Sequence, residues 1–196
     1  MTVPIRTFRE RLLEHARSIG DVPAILAPTA SLSYGALVGE VHALAVALGS
    51  RGIGQDTIVA LTARSEVDHL LAALALLELG APQVALASHD PPAMRLRLAR
   101  RVGATIVLAD RPDDAVAGLD RIDLGAALAS ARSNPRGDAV PGFDASTPAL
   151  YLTGSGTTGE PKVIRYSQLD LARHAGNHID FAGERVLRPA HVEYNN

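Results

Sequence analysis

Cysteine and tryptophan are absent from this 196-residue chain, lysine occurs once among nineteen basic residues, and the aromatic rings are four tyrosines and three phenylalanines. Without cysteine there is no disulfide framework and no thiolate to hold a metal. So few rings leave little to stack on bases, and a net charge of −2 with a pI near 6.4 supplies no basic footprint, so nucleic acid is not an expected partner. The longest nearly unbroken apolar run, Leu70 to Leu79, falls well short of the roughly twenty residues that span a bilayer and reads as a buried helix. The amino-terminal Met-Thr-Val-Pro-Ile-Arg lacks the apolar core of a secretion signal. These absences predict a cytoplasmic protein without a membrane span. The serines also lack a Gly-x-Ser-x-Gly elbow, and no pair of carboxylates suited to glycoside chemistry stands out.

What is present is apolar side chain, 47% of residues, enough for a sizeable core in one domain or an unequal pair. Phe8, Leu12, Leu13, Ala16 and Ile19 recur on one face and predict a helix over Arg6 to Ile19, with Gly20 as a left-handed stop. A short strand at Ala24 to Leu26 follows. Ser33 reads as the N-cap of a helix whose stripe is Leu37, Val41, Leu44 and Leu48, ending near Gly52. Thr57 to Leu61 reads as a strand, Glu66 to Leu79 as a helix apolar on most faces, and Gln83 to Ala87 as a buried strand. Asp90 as N-cap with Pro91 at the first helical position opens a fourth helix, Gly103 closes it, and Thr105 to Leu108 is a strand. Strands alternating with helices at this spacing predict an α/β fold with a mainly parallel sheet flanked by helices.

Residues 1–109 thus read as an α/β core. Between Asp110 and Pro148 the pattern loosens into Asp, Gly, Pro, Ser and Arg, with only Leu119 to Ala131 hinting at a strand end and a short helix, so 110–148 reads as a connector. Residues 149–196 form a third segment. Ala149 to Leu152 is a strand feeding a glycine loop, Val163 to Tyr166 a second strand, and Gln168 to Phe181 a helix.

The sole lysine, Lys162, ends the chain's most glycine- and hydroxyl-rich stretch, Thr153-Gly-Ser-Gly-Thr-Thr-Gly-Glu-Pro-Lys162. A compact ammonium beside a loop that exposes backbone N–H groups suits a polyphosphate. Gly154, Gly156 and Gly159 satisfy the dinucleotide spacing Gly-x-Gly-x-x-Gly, with Asp180 about twenty residues on. That fold needs the last glycine inside a continuing helix, whereas Pro161 and the β-branched residues after it give a strand signature. The nucleoside-triphosphatase loop needs lysine directly after its last glycine, where this chain has Glu160. A kinase loop is unsupported, since no His-Arg-Asp or Asp-Phe-Gly occurs.

Tyr151-Leu-Thr-Gly-Ser-Gly-Thr-Thr-Gly-Glu-Pro-Lys162 resembles the phosphate loop of the adenylate-forming enzymes, which include acyl- and aryl-CoA synthetases, peptide-synthetase adenylation domains and firefly luciferase. Leu32 to Leu37, Ala45 to Leu48, Gly52 to Asp56, Val59 to Leu61 and Ala72 to Gly80 resemble the N-terminal lobe of that family in the same order. Valine at 163, where the family usually has glycine, and Gly154, in place of a common Ser or Thr, are departures.

The resemblance implies an ATP-dependent acid–thiol ligase that joins a carboxylic acid to AMP, releases pyrophosphate and passes the acyl group to a thiol, of coenzyme A or phosphopantetheine. It implies that Thr153, Gly154, Ser155, Gly156, Thr157, Thr158, Gly159 and Lys162 bind the ATP phosphates, with Mg2+ carried on the nucleotide. The family's aromatic-x-Thr-Glu segment, Thr-Gly-Asp stretch, hinge and C-terminal domain with its catalytic lysine have no counterpart here. The expectation is therefore an N-terminal portion with no catalytic residue or metal ligand of its own, inactive alone and partnered by the remainder of its own enzyme. A stand-alone nucleotide-binding or regulatory module is the alternative, and a dinucleotide-dependent oxidoreductase the third reading.

Two weaker patterns are read structurally. His174 and His178 could share a helix face as metal ligands do, but Gly176 and Asn177 interrupt that helix and the pair reads as surface or packed histidines. Arg95, Arg97, Arg100 and Arg101 read as the solvated face of an amphipathic helix.

Overall fold

A computed structural model describes residues 7–28, 30–134, 140–154 and 162–176. Helix α1 (Phe8–Ile19) opens with a capping box, in which the Thr7 hydroxyl accepts from the Glu10 N–H and the Glu10 carboxylate accepts from the Thr7 N–H at 2.7 Å. Gly20 follows it in right-handed helical geometry, φ −54°, so the expected left-handed stop is not formed there. Strands β1 (Pro23–Ala27) and β2 (Ala30–Ser33) make a separate antiparallel hairpin, whose second strand the sequence reading missed. Ser33 caps α2 (Tyr34–Gly49) as its hydroxyl accepts from Ala36 N–H, and the predicted stripe Leu37, Val41, Leu44 and Leu48 is buried.

The main sheet is built from β3 (Val59–Thr62), β4 (Gln83–Ala85), β5 (Ile106–Ala109), β6 (Asp120–Asp123), β7 (Pro148–Gly154) and β8 (Lys162–Ser167). Its order is β6-β5-β3-β4-β7-β8, parallel throughout except for the antiparallel β7–β8 pair. This is the expected α/β fold with a mainly parallel sheet. Alternation along each strand divides two apolar clusters between its faces. Val59, Leu61 and Leu108 join Leu44, Leu71, Leu76 and the other buried residues of α2 and α3 (Glu66–Glu78) on one side. Ala60, Val84, Val107 and Tyr151 join Leu98 and Ala99 of α4 (Pro92–Val102) on the other. No helix among the described residues is long and apolar enough to cross a membrane.

Three further expectations are corrected. The N-cap of α4 is Pro91, with Pro92 at the first helical position, so the cap lies one residue later than expected and carries no side-chain hydrogen bond. Arg95 is not part of a solvated face: it is 4% exposed, and its guanidinium meets the buried Asp114 carboxylate at 3.3 Å and the Asp113 carbonyl at 3.3 Å. Arg97, Arg100 and Arg101 are exposed as read.

The 110–148 segment also contributes core rather than only connecting. Its β6 pairs with β5, and α5 (Leu124–Ser133), capped by Asp123, buries Leu124, Ala127, Leu128 and Ala131 in the cluster it shares with α2. Arg132 of α5 holds Glu40 of α2 through Nε at 3.1 Å and Nη2 at 2.9 Å. Composition hid this because the strand is only Asp-Arg-Ile-Asp and the helix is rich in alanine. Finally, Gly80 turns α3 toward β4 at φ +68°, where a Cβ would stand 2.4 Å from the Phe143 ring. The segment leading into β7 therefore packs directly on that backbone.

Candidate functional site

The parallel strands set the position of the site. Because β3 through β7 run the same way, their carboxyl ends at Thr62, Ala85, Ala109, Asp123 and Gly154 lie along one edge of the sheet. Open α/β sheets bind ligands outside that edge. Strand β7 reaches it beside β4, in the register Val84↔Tyr151, and the chain returns as β8. The two strands expected to flank the glycine stretch are therefore observed, paired antiparallel.

Register then relates the predicted residues. Thr153 pairs with Val163 and Gly154 with Lys162, so the first glycine of the stretch and the sole lysine face each other across the mouth of the hairpin. Directly opposed residues in such a pair bring Cβ positions to within about 5.5 Å. Gly154 and Lys162 are exposed and Thr153 is partly buried. A Cβ built on Gly154 meets nothing within 4 Å, so that backbone is open to approach by a ligand. Ser155, Gly156, Thr157, Thr158 and Gly159, with Glu160 and Pro161, lie outside the described residues.

Alternation separates the two hairpin faces. Tyr151, Thr153, Val163 and Arg165 share one, and Tyr151 is buried there against Val84 and Leu86 with Val163 packed alongside. Gly154, Lys162 and Ile164 belong to the other, where Ile164 is 53% exposed. Among the described residues neither Lys162 nor Arg165 has an ion-pair partner, so both cations stay available to an anion.

The base of the hairpin is held by carboxylates. Asp170, in the first turn of α6 (Gln168–Gly176), accepts from the Ser167 hydroxyl at 2.7 Å and from its N–H at 3.0 Å, which holds that carboxyl below its ordinary value. Asp144, just before β7, accepts from the Ser146 N–H at 2.9 Å and hydroxyl at 2.7 Å and is lowered in the same way. Sequence reasoning missed both, although Ser-x-x-Asp at 167–170 is a legible capping pattern. It placed Val163 in the second strand without reading that its side chain packs on the Tyr151 cluster.

His174 is exposed near the end of α6, and His178, like Asp180, lies outside the described residues. Among the described residues no group of three or more His, Cys, Asp or Glu side chains could hold a metal ion.

Known proteins resemble this chain over most of its length. The 4-chlorobenzoate–CoA ligase of Arthrobacter sp. is 31% identical over 172 residues, covering 82% of this chain and 33% of that protein. Phenyloxazoline synthase MbtB of Mycolicibacterium paratuberculosis is 31% identical over 95% of this chain and 16% of its own length. A hybrid PKS-NRPS synthetase, iliA, of Neonectria sp. is 30% identical over 96% and 5%. The chain thus spans a third or less of the length of these curated relatives. In fold it matches the N-terminal subdomain of Klebsiella oxytoca NpsA, solved in complex with anthranilyl-AMSN, at a TM-score of 0.84 and 22% identity over 97% of this chain and half of that one. The family model described as AMP-binding enzyme matches residues 12–191, which takes in the sheet, the hairpin and its lysine, and on that match the chain belongs to the AMP-binding enzyme family.

Proposed function

We propose that this chain forms the triphosphate-holding part of an ATP-dependent acid–thiol ligase. Its support is the pairing of Gly154 with Lys162 across a hairpin mouth at the carboxyl edge of the sheet. The backbone at Gly154 and the Lys162 ammonium, neither of them occupied by a partner among the described residues, fit a polyanion.

In the reaction proposed, a carboxylate oxygen of the acid attacks the α-phosphorus of ATP, and the bond from that phosphorus to its β-bridging oxygen breaks. Pyrophosphate leaves with the electron pair. A thiol of coenzyme A or a phosphopantetheine arm then attacks the acyl carbon and AMP departs. The chain's own groups act on the leaving phosphates. Negative charge grows on the bridging oxygen as the bond breaks, and donors fixed in advance around it stabilise that state more than the ground state. Lys162 supplies a full charge, while the Gly154 backbone would supply a hydrogen bond, continued by Ser155, Gly156, Thr157, Thr158 and Gly159; Thr153 lies on the opposite face of the hairpin from Lys162. Both CoA-ligase and peptide-synthetase relatives match the chain, and either thiol delivers the same nucleophile.

The test is carboxylate-dependent exchange of pyrophosphate into ATP by the protein carrying this chain, with and without Lys162→Ala. Loss of one preorganised charge should lower kcat/KM for ATP by about 100-fold. An unchanged kcat/KM would overturn the role given to Lys162, and tight NADH binding without ATP binding would overturn the ligase reading. Residues 1–196 alone are expected to give no exchange; exchange well above blank would show that they hold the acid site as well.

A further inference from the structure

We infer that Val163 is a positioning residue for Lys162, fixing which face of the hairpin the ammonium occupies; the inference rests on the phosphate-binding reading of that lysine. The two residues are neighbours on β8 and therefore project to opposite faces. Val163 is partly buried against the cluster of Val84, Leu86 and Tyr151, directly across from Thr153. Lys162 is exposed opposite Gly154, which has no side chain with which to set the register. Ile164, the residue on the other side of Val163, is 53% exposed and gains little by staying on its face.

A slip of one residue would exchange the faces of all three: Lys162 would turn toward the apolar cluster and Val163 into solvent. Near the mouth, then, register rests on one partly buried branched side chain. A β-branched residue is suited to this, because its χ1 is restricted and its strand preference is high. Glycine there would leave the lysine next to a flexible, unpacked position on an edge strand.

The experiment is amide exchange and steady-state kinetics on the protein carrying this chain. Val163→Gly should remove exchange protection at Gly154 and Lys162 while leaving the Leu150–Tyr166 end of the hairpin protected. It should also raise the KM for ATP about tenfold, because a displacement of ~1 Å at a charged contact costs between ten- and a hundredfold. Val163→Ile keeps the branched β-carbon and should bring KM back to within about twofold, and Val163→Ala should fall between. In a Lys162→Ala background Val163→Gly should have no further effect on KM, since the two act as one unit.

A fall in melting temperature and kcat with KM unchanged would overturn the inference. So would a full, independent KM effect in the lysine-less background. If Lys162→Ala alone leaves kcat/KM for ATP unchanged, the phosphate reading falls and this inference with it. If Lys162→Ala raises KM and Val163→Gly does not, only the positioning role falls.

Discussion

The interior strands and the β7–β8 hairpin belong to one sheet but are built on opposite terms. All four residues of β3 are buried, and its neighbours β4 and β5 expose little, so these strands are covered on both faces and apolar except for the buried Thr62 and Gln83. Strand β8 has no buried residue, carries Lys162 and Arg165, and forms the edge of the sheet among the described residues. The interior is determined by burial, which leaves no side chain free for chemistry. The hairpin is determined by register, held by a few packed residues such as Tyr151 and Val163, and its charged groups stay available. Stability and ligand binding should therefore respond to different mutations.

The largest stability effect is expected at the buried ion pair. Asp114→Ala leaves Arg95 buried without its carboxylate and should cost about 3–5 kcal/mol, whereas Arg97→Ala on the same helix should stay within about 0.5 kcal/mol. Urea unfolding measures both, and a small loss for Asp114→Ala would show that water reaches the guanidinium. Leu108→Ala, in the middle of β5 with no exposed surface, should cost about 3 kcal/mol through lost burial and a cavity. Gly80→Ala comes next at about 2 kcal/mol, because it forces a side chain into a left-handed conformation and against the Phe143 ring. All three should leave the KM for ATP of the folded protein unchanged. A rise in KM with Leu108→Ala would mean that interior and hairpin are coupled more closely than their separate packing implies.

This division also explains what the sequence made legible. The stripe of α2, the apolar α3 and the β-rich stretches around Ala60, Val84 and Val107 carry their burial in their own composition, so element type was readable there. The glycine stretch between two strand signatures likewise disclosed the hairpin. What stayed hidden depends on partners distant in sequence. Arg95 looks like the other α4 arginines until Asp114 comes beneath it, and Asp120 to Asp123 gives no more than the hint of a strand end until β5 supplies its ladder. Val163 reads as an ordinary strand residue, and only the alternation of faces against Tyr151 and Thr153 gives it meaning.

The smallest effect distinguishes the two regions by pH. Asp170 is held below its ordinary value of 3.8, first by the Ser167 hydroxyl, then by the Ser167 N–H and the Arg173 charge. Asp144 is lowered by the Ser146 N–H and then its hydroxyl. For a carboxyl with a depressed folded value, the stabilisation is present above its unfolded value and is lost as pH falls through the folded one. Both residues sit at the base of the hairpin, one before β7 and one after β8. Between about pH 5 and about pH 3, amide exchange corrected for its intrinsic rate should lose protection first around residues 146–147 and 167–170. Asp123, lowered chiefly by the Ala126 N–H and then by Arg121, should loosen the first turn of α5 over the same range. Asp170→Asn at neutral pH should reproduce the change at 167–170 alone. Uniform loss of protection across α3 and the hairpin would show that the sheet opens as a single unit, and the contrast between its interior and its edge would then be one of exposure without a difference in local stability.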